Sequence, residues 1–158
     1  MFEFTGYHGT TQERAEIIKS GGFQARPGIV VPGAYFWKES IWGKYLAAGW
    51  YKKHLDRGRY AKDANNKCAI IWAKIQVDED FFIDFEREEL KNKIADYAAK
   101  RQIGDDIKKH SAIYVWLLRE CERIHGVKIK VVQVKVPYPG KQYCSQYNFL
   151  LLGRPLCL

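Results

Sequence analysis

The stretch Tyr7-His8-Gly9-Thr10-Thr11-Gln12-Glu13-Arg14-Ala15-Glu16-Ile17-Ile18-Lys19-Ser20-Gly21-Gly22-Phe23 decides the reading of this chain. It closes a weakly alternating run that starts at Phe2, so Phe2 to Tyr7 is expected to be a short strand. Thr10 and Glu13 stand at the T-x-x-E spacing of a capping box, in which each side chain satisfies an orphan amide of the other's turn. That spacing predicts a helix running to about Ser20, stopped by Gly21 and Gly22. A polar Tyr-His-Gly-Thr step therefore sits where a strand ends and a capped helix begins.

Outward from there, Arg26 to Gly33 carries Pro27, Gly28, Pro32 and Gly33 and reads as a loop. Ala34 to Trp37 follows as a short apolar strand. Ile41, Trp42, Tyr45, Leu46, Gly49 and Trp50 recur at helical spacing, which predicts an amphipathic helix from Glu39 to about Leu55. Asp56 to Lys67 is polar and basic, as a surface loop would be. Ala69, Ile71, Ala73, Ile75 and Val77 alternate with Ile70, Trp72, Lys74 and Gln76, the pattern of a strand covered mostly on one face. Two helices are expected next, one marked by Leu90, Ile94, Tyr97 and Ala98, the other by Tyr114, Leu117, Leu118, Cys121 and Ile124. Gly126 ends the second. Val127 to Val136 reads as a strand, Pro137 to Ser145 as a loop, and Tyr147 to Leu152 as a central strand apolar on both faces. This order points to an α+β domain with mainly antiparallel strands, in one unit spanning residues 1–158.

The 158 residues are 47% hydrophobic and include 5 Trp, 10 Tyr and 8 Phe, which excludes a disordered chain. No apolar run reaches the roughly 18 residues of a membrane span, and the opening residues have no secretory-signal pattern. Cys68, Cys121, Cys144 and Cys157 lack metal-ligand spacing with any histidine, so no metal is expected and buried free thiols in a reducing cytoplasm are the default. His54, His110 and His125 fall on polar helix faces or helix ends and read as solvated. The formal charge is +8. Seven Lys or Arg between Lys44 and Lys67 meet only Asp56 and Asp63, and no acidic residue follows Glu122. Such clustering raises the odds of a polyanionic partner, nucleic acid above all.

Three segments place polar or small groups where strands would otherwise stay plain: Tyr7-His8-Gly9-Thr10, Gly33-Ala34-Tyr35-Phe36 and Gln146-Tyr147-Asn148-Phe149-Leu150. In this order they resemble the ADP-ribosyltransferase superfamily, in its H-Y-E branch of diphtheria-toxin-like and poly(ADP-ribose)-polymerase-like enzymes. There a strand-borne Y-H-G-[ST] precedes a helix ending in I-x-x-x-G-[FL]. This chain has Ile18-Lys19-Ser20-Gly21-Gly22-Phe23, one residue longer. A G-x-Y-F strand and a helix with an early serine follow, matched by Gly33 to Phe36 and by Ser40 to Tyr51.

The resemblance implies a split β-sandwich with flanking helices and an NAD cleft between its sheets, NAD being consumed as a substrate. It places His8, Gly9, Thr10, Tyr35 and Ser40 at the dinucleotide. His8 would hydrogen-bond the adenosine ribose, the Gly9 backbone would pair with the carboxamide, and Tyr35 would stack on the cationic nicotinamide ring. Ser40 would add a further amide contact. His8, Tyr35 and Gln146 would form the catalytic set. The family's glutamate is replaced by Gln146, which keeps hydrogen bonds but has no charge and cannot take a proton. That favours transfer of a single ADP-ribose to an acceptor needing little deprotonation, such as a nucleobase nitrogen, with a toxin or phage–host conflict enzyme as a setting. A protein side chain as acceptor, and a catalytically silent module that binds NAD or ADP-ribose, remain alternatives. The loop with Tyr138, Lys141, Gln142 and Tyr143 interleaves aromatics with a cation and is the expected acceptor contact.

Overall fold

The alternation of β3 (Cys68–Val77) is realised as expected: Ala73, Ile75 and Val77 are buried while Ile70, Trp72, Lys74 and Gln76 are exposed. A computed structural model describes residues 1–26, 30–102, 107–137 and 145–151 of the chain. Along the chain β3 is preceded by β1 (Phe2–Thr11), α1 (Gln12–Gly21), β2 (Ala34–Lys38) and α2 (Gly43–Asp56). After it come β4 (Phe82–Asp84), α3 (Glu88–Lys100), α4 (Ile107–His125), β5 (Val131–Pro137) and β6 (Ser145–Leu151). The chain is mixed α+β.

The strands run in the order β3-β1-β2-β6-β5-β4. All described neighbours are antiparallel except β4 and β5. β1 pairs with β3 along its whole length, from Phe2↔Val77 to Thr11↔Cys68. With β2 it shares only Gly6↔Lys38 and Tyr7↔Trp37. The sheet thus falls into two segments, β3–β1 and β2–β6–β5–β4, joined over one short step. β6 lies in the interior of the order, which explains a strand apolar on both faces.

Burying apolar surface on both faces holds the layers together. On one face Tyr7, Trp37, Leu46, Ala47, Leu117, Val132, Val134 and Val136 form a core beneath α2 and α4. On the other, Phe23, Phe36, Ala73, Ile75, Val77 and Val131 cluster with Phe2, Phe4 and Ile18. Adjacent valines of β5 point to opposite faces, so each side of the strand contributes to one cluster.

Several expectations are corrected. The N-cap of α1 is Thr11, whose hydroxyl accepts from the Arg14 amide at 3.3 Å. Glu13 does not close a box with Thr10; its carboxylate accepts the amides of Ala64 and Asn65 and pins the loop after α2. The C-terminal stop is as expected: Gly22 has φ 74° and donates to the Ile18 carbonyl. α2 begins four residues later than expected, at Gly43, because Ser40 to Trp42 form a turn whose Ser40 carbonyl takes the Gly43 amide. Its buried face is Leu46, Ala47 and Tyr51, so Ile41, Trp42 and Tyr45, counted on the apolar face by spacing, are exposed. β4 was not foreseen. β5 starts at Val131 rather than Val127, because the Ile129 amide is taken by the Glu122 carboxylate and that of Lys130 by Phe81. Cys68 is exposed, not a buried thiol, and Cys121 is partly buried; Cys144 and Cys157 lie outside the described residues. No described helix is long and apolar enough to cross a membrane.

Candidate functional site

Consecutive residues of β1 point to opposite faces of the sheet, and this division organises the candidate site. His8 lies on the side of Phe23 and Phe36, its ring 5.2 Å and 5.7 Å from theirs. Its Nδ1 is 2.8 Å from the Tyr35 carbonyl oxygen. A carbonyl only accepts, so Nδ1 carries the proton and Nε2 is left as the acceptor nitrogen. Burial lowers the His8 pKa, against the opposing pull of the Tyr35 carbonyl, so the ring is neutral at pH 7. The bond forms where the β1–β2 ladder stops, just past Tyr7↔Trp37.

Tyr35 reaches His8 through its backbone, while its ring joins the other face. There it stacks on Trp50 of α2, with centroids 6.5 Å apart and 26° between planes. Its hydroxyl donates to the Val31 carbonyl at 2.7 Å and accepts the amides of Val30 and Val31. The Ser111 hydroxyl donates to the Val30 carbonyl, tying the same turn to α4. Tyr35 is thus an anchor for the loop before β2 as well as an aromatic face. Gly9 has a packing reason of its own: a Cβ there would sit 1.9 Å from the Ala47 carbonyl oxygen. Thr10 is buried.

Ser40 lies apart from His8. Its hydroxyl accepts from the Trp42 amide, and it borders a cavity of about 570 Å³ between α2 and β3. Gln146 is the second residue of β6, paired with Val136 of β5 and two residues before Asn148, which pairs with Trp37. Tyr138, Lys141, Gln142 and Tyr143, the expected acceptor contacts, lie outside the described residues.

The strands bearing the three motifs are neighbours: β1 holds His8, β2 holds Tyr35 and β6 holds Gln146. No protein-family profile, curated protein or solved structure matches this chain.

Sequence reading missed three side chains that shape the region. Glu39, just after β2, accepts from the Tyr7 hydroxyl at 3.1 Å and the Trp72 indole at 3.2 Å. Its pKa is lowered, first by a hydrogen bond from Thr5 and then by Tyr7, Trp72 and the charge of Lys44, with partial desolvation opposing. Trp50 supplies the flat partner of Tyr35. His54, expected to be solvated, is half-buried: its ring lies 4.8 Å from Trp50 and 6.1 Å from Tyr60, which the turn after α2 folds over it. Burial and the charges of Arg59, Arg57, Lys53 and Arg14 push its pKa down to about 4. His125 is exposed. Among the described residues, no group of three or more His, Cys, Asp or Glu is placed to hold a metal.

Proposed function

We propose that the chain is a mono-ADP-ribosyltransferase that consumes NAD and modifies a nucleic acid, built on an ADP-ribosyltransferase-like split sandwich. The observation that carries this reading is the placement of three segments distant in sequence on the adjacent strands β1, β2 and β6, with His8 bonded to the Tyr35 backbone where β1 and β2 part. In the reaction, the bond between the nicotinamide nitrogen and the ribose carbon breaks and nicotinamide leaves as a neutral ring. The acceptor's lone pair forms the new bond at that carbon, and the acceptor's proton passes to solvent. His8 Nε2, held as an acceptor, suits a ribose hydroxyl. The near-parallel Tyr35 and Trp50 rings suit a flat cation. Gln146 would supply hydrogen bonds but no base, so positioning carries the rate.

Incubation with NAD labelled in its adenylate phosphate, together with RNA, DNA or cell lysate, tests this. Nuclease-sensitive label on an acceptor is expected. Label surviving nuclease but not protease would move the acceptor to protein. Intact NAD with no labelled acceptor would overturn the enzyme reading.

A second reading, a silent module that binds NAD or ADP-ribose, is favoured by one observation: the His8 and Tyr35 rings lie on opposite faces, and the Tyr35 hydroxyl is fully engaged within the chain. Calorimetric NAD binding without release of nicotinamide would establish it.

A further inference from the structure

An uncovered apolar surface lies on the face of β1 opposite His8. Ile41, Trp42 and Tyr45 are 81%, 56% and 68% exposed, and Ile70 and Trp72 of β3 are 40% and 53% exposed. Ile41, Tyr45 and Ile70 line a cavity of about 570 Å³ together with Tyr7 and Lys44, and the Trp42 ring lies 6.1 Å from that of Tyr45. That volume is within the roughly 300–1,000 Å³ of ligand sites. α2 packs on β1 and meets both β2 and β3, yet it leaves Ile70 and Trp72 of the edge strand β3 exposed.

The polar groups select an occupant. Lys44 holds its ammonium 5.6 Å from the centre of the Tyr7 ring, at the groove itself. From Ser40 to Leu55 the chain has Lys44, Lys52 and Lys53 and no carboxylate. Asp56 and Asp63, the acids of the basic stretch that follows, are each held in an ion pair, with Lys52 and Arg14. Of the carboxylates nearby, Glu39 is engaged by Thr5, Tyr7 and Trp72, and Glu3 pairs with Lys74. Flat rings beside a cationic helix suit splayed bases followed by phosphates. A second copy of this chain, itself +8, would meet repulsion at such a face.

We infer that this groove binds single-stranded nucleic acid, a base stacking on the exposed Tyr45 and Trp42 while Lys44 contacts the backbone. The inference rests on the nucleic-acid side of the proposed function and gives its acceptor a location away from the C-terminal loop. Binding is read without NAD, so its failure and the failure of the transferase reading are separable.

The test titrates the NAD-free protein into fluorescein-labelled 15-nucleotide single strands of RNA and DNA, following anisotropy and tryptophan quenching. A saturable rise is expected, stronger than for the duplex of the same sequence. Trp42→Ala and Tyr45→Ala should each weaken binding by about fivefold or more. Lys44→Ala should flatten the slope of log affinity against log salt by about 0.7. Circular dichroism checks that these exposed substitutions leave the fold intact. Equal affinity for duplex, or unchanged binding in all three variants, would overturn the inference. So would displacement of the strand by NAD alone, which would assign the groove to the dinucleotide. Self-association lost with Trp42→Ala, in the absence of strand binding, would assign it to a second copy and likewise overturn it.

Discussion

On one side of β1 the His8 imidazole is enclosed by Phe23 and Phe36 and tied to the Tyr35 carbonyl. On the other side, one residue earlier, the Tyr7 ring lines an open groove bordered by exposed aromatics. The same strand thus carries a half-buried imidazole pinned by its backbone bond and a buried ring that floors an open groove. The difference comes from what packs on each face: Phe23 and Phe36 flank the first, whereas α2 leaves the edge of the second bare. Packing orients the former; the groove above the latter is open to a ligand.

The comparison breaks first at Phe36, which is fully buried beside His8. Phe36→Ala should cost about 3–5 kcal/mol in urea unfolding. A cost under about 1 kcal/mol would mean the His8 side is not tightly packed. Gly9→Ala drives a Cβ into the Ala47 carbonyl and should cost about 1–3 kcal/mol in the same assay. Unchanged stability would show that α2 does not press on β1 there.

A graded effect follows from His54. Its folded pKa of about 4 lies below the ordinary histidine value of 6.5, so the unfolded chain binds the proton more readily between those values. Its contribution is complete above pH 6.5 and is lost as pH falls toward 4. His54→Gln should flatten the stability profile across that window. Equal slopes in both proteins would contradict the burial of His54 under Tyr60. The smallest effect belongs to the groove: Trp42→Ala should change stability by no more than about 0.5 kcal/mol, because little of that ring is covered. A larger loss would mean the groove is part of the core.

Periodicity was informative where one face is covered and the other is not. Ala69 to Val77 showed this, while the apolar run of β6 matched its interior place in the strand order. It was silent about cover itself. Ile41, Trp42 and Tyr45 share a spacing with Leu46, yet spacing cannot say where α2 ends its overlap with the sheet. The T-x-x-E spacing pointed to Thr10 as the cap, and only the positions of Asn65 and Ala64 in space decide that Glu13 serves the loop rather than Thr10. β4 escaped because three residues at a parallel edge show no alternation. The motif segments were legible as a set because each breaks the pattern of its strand. That His8 meets the Tyr35 backbone rather than its ring depends on the stagger at one short ladder, which no local pattern encodes. Glu39 and Trp50 carry no motif and become visible only through Tyr7, Trp72 and Tyr35.

The central claim is that ADP-ribose moves from NAD to a nucleic acid. Its most direct test is mass spectrometry of nucleosides digested from RNA and DNA after incubation with the protein and NAD, with nicotinamide measured alongside. The account predicts a nucleoside carrying one added ADP-ribose, in amounts equal to the nicotinamide released. Unmodified nucleosides with NAD intact would contradict it.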